Sequence, residues 1–144
     1  MLVQQILKQK SDAGVLTVPR GTLVSEAAKI LSDRRIGTVV ISDDGKAPLG
    51  ILSERDIVRE VGRQGGACLD QKVDDIMSTK LVTCSLNATA DQVLSTMTEK
   101  RFRHMPVVEN DEMVGIITLG DVVKSRLTEL SMEKEALEGM IMGY

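Results

Sequence analysis

The apolar positions of the chain change period in a fixed order, and that order occurs twice. Residues 15–18 and 81–84 are short apolar runs containing Val and Thr, followed by turn-forming residues, and read as brief strands. Over 22–33 and 88–100 the spacing lengthens to that of a helix. Val24, Ala27, Ala28 and Leu31 share one face of the first, and Ala90, Val93, Leu94 and Met97 share one face of the second. Residues 38–42 and 105–108 are apolar strands. Asp43-Asp44-Gly45 and Glu109-Asn110-Asp111 supply hairpin turns, after which 48–52 and 113–117 return as strands. Further helices start at Ser53 and Thr118. Three pieces lie outside this scheme. Residues 2–9 predict a short helix leading into the first copy. Residues 62–72 form a linker rich in Gly and polar residues, ending in a helical turn at 73–77. Residues 131–142 predict an amphipathic helix with Met132, Leu137, Met140 and Ile141 apolar.

The two copies align residue by residue, which is the signature of a duplicated unit. Leu81 lies 66 positions beyond Val15, and the same offset lays Arg101-Phe102 on Arg35-Ile36 and Met105-Pro106-Val107 on Val39-Val40-Ile41. One residue is then lost, and at an offset of 65 the stretch 115–123 lies on 50–58. Copies of about 60 residues are small to be stable alone, so they are expected to share an interface. A duplicated unit has a pseudo-twofold axis, and related clefts are expected where the copies meet.

The residues with chemical potential fall at the same place in both copies. Ser53-Glu54-Arg55-Asp56 and Thr118-Leu119-Gly120-Asp121 have the hydroxyl-x-x-acid pattern of a capping box, and capping alone accounts for one such pattern. The same geometry suits a ligand. A helix start offers free N–H groups and the positive end of a dipole to a phosphate. A carboxylate one turn in can accept from the vicinal hydroxyls of a ribose. Gly50 and Gly115 stand just upstream, where a ligand could approach the backbone closely. Occurrence twice, in register, favours the functional use.

Composition narrows the classes. The chain has 144 residues, 18 Lys and Arg against 21 Asp and Glu, and a net charge of −3. With that balance, and with Phe102 and Tyr144 its only aromatic residues, sequence-independent nucleic-acid binding is not expected. One His and two Cys cannot make a usual four-ligand zinc site. Cys68 and Cys84 show no disulfide-scaffold pattern and point to a reducing compartment. No apolar run reaches the ~18 residues of a spanning helix, and residues 1–8 are too polar for a signal peptide. The expectation is a cytoplasmic protein with no membrane partner. No phosphate-binding loop or nucleophile–base pair stands out, so an enzyme is not expected.

Three features together resemble a known family: Gly-hydrophobic-x-Ser/Thr-x-x-Asp at 50–56, the same pattern at 115–121, and the strand Met105-Pro106-Val107-Val108. The chain resembles tandem CBS domains, or Bateman modules, over roughly residues 10 to 130. It is most similar to small stand-alone bacterial CBS-pair proteins, through Ile36-Gly37, Ser53-Glu54-Arg55-Asp56 and Arg103-His104-Met105-Pro106. The resemblance implies an α/β (α+β) fold of two β-α-β-β-α repeats with pseudo-twofold symmetry. The units are the first repeat with its N-terminal helix (1–70), the second repeat (71–130) and a C-terminal helix (131–144). It implies an adenosine-containing ligand between the repeats: AMP first, otherwise ADP, ATP, NAD(H) or S-adenosylmethionine, with no metal.

The resemblance also implies roles. Asp56 and Asp121 would bind ribose hydroxyls, and Ser53 and Thr118 ribose or phosphate. Thr17 and Thr83 would line the clefts. The backbones of Thr38-Val39 and His104-Met105 would meet adenine, and Arg103, His104 and Arg55 would face phosphates. Beside a phosphate the pKa of His104 is expected to rise. The run Lys100-Arg101-Phe102-Arg103 reads either as a solvated face or as a basic strip at the phosphate end of a cleft. The copies differ where Gly37-Thr38 faces Arg103-His104, Val40 faces Pro106 and Arg55 faces Gly120, so the clefts are expected to be unequal. The expected function is a nucleotide sensor that signals through a homodimer to a separate target. Its apolar stripes Ile57/Val58/Val61 and Val122/Val123 are the expected dimer surfaces, and Met132, Met140 and Met142 suggest a partner surface. The rival readings are a structural adaptor with empty clefts and a nucleotide-hydrolysing enzyme.

Overall fold

The computed structural model describes residues 1–10 and 15–142. The expected units 1–70 and 131–144 therefore include residues, 11–14 and 143–144, that lie outside the described ones. In chain order the elements are α1 (Val3–Gln9), β1 (Thr17–Val18), α2 (Val24–Arg34), β2 (Thr38–Ile41), β3 (Gly50–Ser53), α3 (Glu54–Gln64), a 3₁₀ turn (Gly65–Asp70), α4 (Val73–Ile76), α5 (Ala90–Lys100), β4 (His104–Glu109), β5 (Glu112–Thr118) and α6 (Leu119–Met142). In the first repeat β1 runs parallel to β2, which pairs antiparallel with β3 and sets Thr38 opposite Ser53. In the second, β4 and β5 form the corresponding hairpin and set His104 opposite Thr118. Each capping hydroxyl thus stands at the end of its hairpin, beside the residue that opens the middle strand.

The repeats agree in local detail. Both α2 and α5 end on an arginine in the left-handed region, Arg35 at φ 54° and Arg101 at φ 57°. The next residue returns its N–H to the helix, Ile36 to Leu31 and Phe102 to Met97, closing a Schellman-type end. The first residue of the following helix also donates back in both: Glu54 N–H to Gly37 and Leu119 N–H to Arg103. The turn of the β4–β5 hairpin places Asn110 and Asp111 at φ 52° and 63°, the type I′ geometry that these residues tolerate.

One predicted strand is much reduced. Residues 81–84 contribute only a bridge from Cys84 to Val107. In the first repeat the equivalent strand is held partly by Val40 N–H donating to Leu16. Pro106 stands at the matching position and has no N–H to give, so the ladder loses that bond.

Two hydrophobic cores form, and each recruits a helix from elsewhere in the chain. Val3 and Ile6 of α1 are buried with Val93, Met97, Met105, Ile117 and Val122 of the second repeat. Val73 of α4 is buried with Val24, Leu31, Val39, Leu52 and Ile57 of the first. Backbone bonds fix both exchanges: Val3 N–H to Ala88 and Ala90 N–H to Met1 on one side, Val24 N–H to Gln71 and Val73 N–H to Thr22 on the other. Core membership therefore crosses the chain division at residue 70.

This arrangement explains the two motif glycines, and not in the expected way. A Cβ on Gly50 would overlap the Met77 side chain, and one on Gly115 would lie 2.8 Å from Leu7 Cδ2. The close approach is made by the chain's own α4 and α1 segments rather than left for a ligand.

The expected dimer stripes are also split. Ile57 and Val122 are buried in the two cores, while Val58, Val61 and Val123 are exposed. Adjacent residues on a helix point about 100° apart, so Val58 and Val123 turn away from the faces that bury Ile57 and Val122, while Val61, one turn beyond Ile57, is 40% exposed. The helix expected at 131–142 is the second half of the single 24-residue α6. No described helix is long and apolar enough to cross a membrane.

Candidate functional site

Two clefts open between the repeats. The first, about 640 Å³, is walled by the start of α3, by residues 78 and 80–82, by residues 100–104, and by the start of α6. Its capping box is complete. Ser53 donates to Asp56 Oδ2 through its backbone N–H at 2.8 Å and through its hydroxyl at 2.9 Å, and Asp56 N–H donates to Ser53 Oγ at 3.2 Å. The remaining oxygen, Oδ1, accepts from the exposed guanidinium of Arg59. Arg55, Lys80, Lys100, Arg101 and Arg103 also line this cleft, and none of these five forms an ion pair with another described residue. Glu54 and Asp56 are its only carboxylates. The cations converge from three separate stretches of chain on one concave surface floored by Ile51, Leu81, Val82 and Phe102.

The second cleft, about 820 Å³, uses the other copy of the motif. Asp121 Oδ2 accepts from Thr118 N–H at 3.0 Å, and Asp121 N–H donates to Thr118 Oγ1 at 3.1 Å. Here the carboxylate is held by a residue from the other end of the chain. Lys10 Nζ sits 2.8 Å from Asp121 Oδ2 and donates to the Ile116 carbonyl at 3.0 Å. Burial pushes the Asp121 carboxyl up, but the hydrogen bonds from Lys10 and Thr118 outweigh it and hold the group below the usual carboxylate range. Thr38 lines this cleft too, and its hydroxyl is buried with no hydrogen-bond partner among the described residues. The charge is thin here: Lys10 and Arg34 against Asp121.

Gly37, His104 and Thr118 line both clefts and mark where they meet. Burial drives the His104 pKa below its ordinary value. Glu54 and Asp121 oppose that shift, and Lys10 and Arg103 reinforce it. In the protein itself the direction is therefore opposite to the rise expected beside a phosphate. Burial also pushes the Cys84 thiol up to about 11, which keeps it overwhelmingly in the thiol form near neutral pH. Among the described residues no group of three or more His, Cys, Asp or Glu is placed to hold a metal ion.

The expected site residues divide unevenly. The first cleft gathers Ser53, Arg55, Asp56, Arg103, His104 and Thr118, and the second gathers Thr38, His104, Thr118 and Asp121. Val39 and Met105 are buried in the cores, which leaves only their backbone for any contact. Thr17 and Thr83 line neither cleft. The early strands contribute through the residues just before them, Val15 and Leu16 in one case and Leu81 and Val82 in the other. Lys10, Arg59 and Lys80 escape sequence reasoning. Arg59 had a signal, an i,i+3 spacing from Asp56, but Lys10 and Lys80 reach the clefts only through tertiary folding.

Two repeats in register, each presenting a capped helix start to a ligand-sized space shared with the other, define the class: a paired-repeat module with its sites at the junction. The match to known families is equally clear. Residues 10–63 and 73–128 each match the CBS domain, and the chain belongs to the CBS-domain family as a tandem pair. A CBS-domain containing protein from Agrobacterium tumefaciens has 43% sequence identity and a TM-score of 0.83, over 88% of this chain and 99% of that one. A mitochondrial CBS domain-containing protein of Arabidopsis thaliana is 30% identical over 98% of this chain and 72% of its own length. A CBS domain pair crystallised in complex with 5′-methylthioadenosine and S-adenosyl-L-methionine has 26% identity and a TM-score of 0.76, over 91% and 98% of the two chains. The chain spans only 24% of one longer Arabidopsis relative, to which it is 28% identical.

Proposed function

We propose that the protein is a non-catalytic sensor of an adenosine nucleotide, with the first cleft as its principal site. The observation that carries this reading is the set of five cations, Arg55, Lys80, Lys100, Arg101 and Arg103, that face the cleft without an ion-pair partner among the described residues. Like charges are gathered against their mutual repulsion, and a polyanion is the ligand that relieves it. Asp56 supplies the ribose contact once Arg59 swings away. Arg59 is exposed and its pairing is of the weak surface kind, so its displacement costs little. Ser53 meets ribose or phosphate, the backbone of Arg103 and His104 meets adenine, and Ile51 and Val82 pack on the base. The number of cations favours ADP, ATP or NAD(H) over AMP. A ligand bridging the repeats shifts the balance between two packings only by its differential affinity for them. That shift passes through a homodimer to a separate target in the cytoplasm. The units divide the work: 1–70 and 71–130 form the clefts, and 131–144 serves contact with other molecules.

Support for an adenosine ligand also comes from the related CBS pair crystallised with two adenosine derivatives. The test is dye-monitored melting and calorimetric titration with AMP, ADP, ATP, NAD, NADH and S-adenosylmethionine. A ligand at 100 times its Kd stabilises the fold by about 2.7 kcal/mol, a rise of roughly 5–10 °C in Tm for a chain of this size. Selective stabilisation that weakens as salt is raised supports the reading. No shift with any of the six overturns it in favour of an adaptor with empty clefts, and sustained turnover of ATP favours an enzyme.

A further inference from the structure

From Ser131 to Met142, every residue of α6 except Gly139 is exposed, although the segment is helical throughout. A bare half-helix of this kind is marginal in water unless something packs on it. The exposed positions of α6 have a regular order. Val123, Leu127, Leu130, Lys134, Leu137 and Ile141 follow one another at spacings of four, three, four, three and four, the heptad repeat of a coiled-coil seam. The five apolar members are all exposed. The seam lies about a third of a turn around the helix from Val122 and Ser125, which face the core. It runs for about 27 Å at 1.5 Å per residue.

We infer that this seam pairs two copies of the chain in antiparallel order. The inference rests on the reading of the protein as a homodimer and places its interface. The seam is complementary to itself under a twofold axis near residue 132. Leu127 then meets Leu137 of the second copy, Val123 meets Ile141, and Lys134 lies over Leu130. Charge selects the direction. A parallel pair would stack Lys134 on Lys134. The antiparallel pair brings Lys124, which has no ion pair with a described residue, beside Glu138 of the second copy. A lysine within an otherwise apolar seam lowers affinity but fixes the register, so a regulated dimer is expected rather than a permanent one.

The interface is tested by sedimentation equilibrium on the whole protein and on a Leu130→Lys/Leu137→Lys variant. Both leucines are exposed in the monomer, so the variant keeps its fold, checked by its circular dichroism and melting temperature. The dimer dissociation constant is expected to rise by more than about 100-fold. A Ser131→Cys variant in a Cys84→Ser background is expected to cross-link with a short bis-maleimide, and Ile141→Cys is not. A monomeric parent protein overturns the homodimer reading and this interface together. A variant that dimerises like its parent overturns only the placement on α6. Cross-linking through Ile141→Cys but not Ser131→Cys overturns the antiparallel order.

Discussion

The two clefts are built from the same elements in the same register, and they differ in what holds their carboxylates. Asp56 is balanced by Arg59 from its own helix, three residues away and largely in solvent. Asp121 is balanced by Lys10, 111 positions away in the chain, half-buried and bonded to a backbone carbonyl as well. Around Asp56 five further cations stand without an ion-pair partner among the described residues, whereas the Asp121 cleft adds only Arg34. Duplication copied the scaffold, and the differences arose on side chains that the scaffold does not constrain. The first cleft therefore presents positive charge that no described carboxylate balances, and in the second the motif carboxylate is already held by the chain's own cation.

The sharpest way to break this comparison is to remove each carboxylate in turn. Asp56→Asn is expected to weaken ADP binding by about 100-fold, the scale of losing charge-assisted bonds to a ribose diol. Asp121→Asn should leave ADP affinity within a few-fold of the parent. Equal losses in calorimetry would mean that both clefts are filled together.

The glycines give the next effect. Gly50→Ala places a methyl against both Met77 and the Ser78 carbonyl, and is expected to cost about 2 kcal/mol of stability by overpacking. Gly115→Ala meets only the Leu7 side chain and should cost about 1 kcal/mol. Urea melts read both, and a reversed order would show that α1 is held more rigidly than α4.

Lys10→Met frees Asp121 and is expected to raise the second cleft's affinity for adenosine about 5-fold, the worth of a weak ion pair. A fall in affinity would instead make Lys10 a ligand contact.

The smallest effect concerns pH. His104 has a depressed pKa in the folded protein, so the unfolded chain binds more protons just below the ordinary value of 6.5. Stability is then full above that value and declines as pH falls below it. The parent should lose a few degrees of Tm between pH 7 and 5, and His104→Asn should lose less. Equal slopes would assign the acid sensitivity to other groups.

Much of this was legible in the sequence because it is local. Hairpins, helices and both capping boxes depend on residues within a few positions, and the repeat made each reading count twice. Pro106 was legible in principle as the cause of the weakened strand at 81–84, since a missing N–H can be read from the residue alone. The failures share a physical origin. Ile57 and Val58 are both apolar, and only the direction of packing decides which one is buried. The glycines at 50 and 115 announce a close approach without saying by whom. Lys10 and Lys80 have no local pattern, because their positions follow from how one repeat closes on the other.

The exchange of α1 and α4 between the cores sets the order in which the chain can be completed during synthesis. The first repeat finds its missing helix, α4, within a dozen residues of its own last helix, so its core can close early. Val3 and Ile6 must wait until α5, β4, β5 and α6 have all emerged, more than a hundred residues later. At about 5–20 residues per second, that is several seconds with an apolar helix face in solvent. Its partner surface on the second repeat is equally incomplete in the meantime. Cutting the chain at the linker would thus yield two fragments with unfinished cores rather than two working domains. The α1 segment, made well before the second repeat, is put in place only after it, and the second core closes only once the start of α6 has been made.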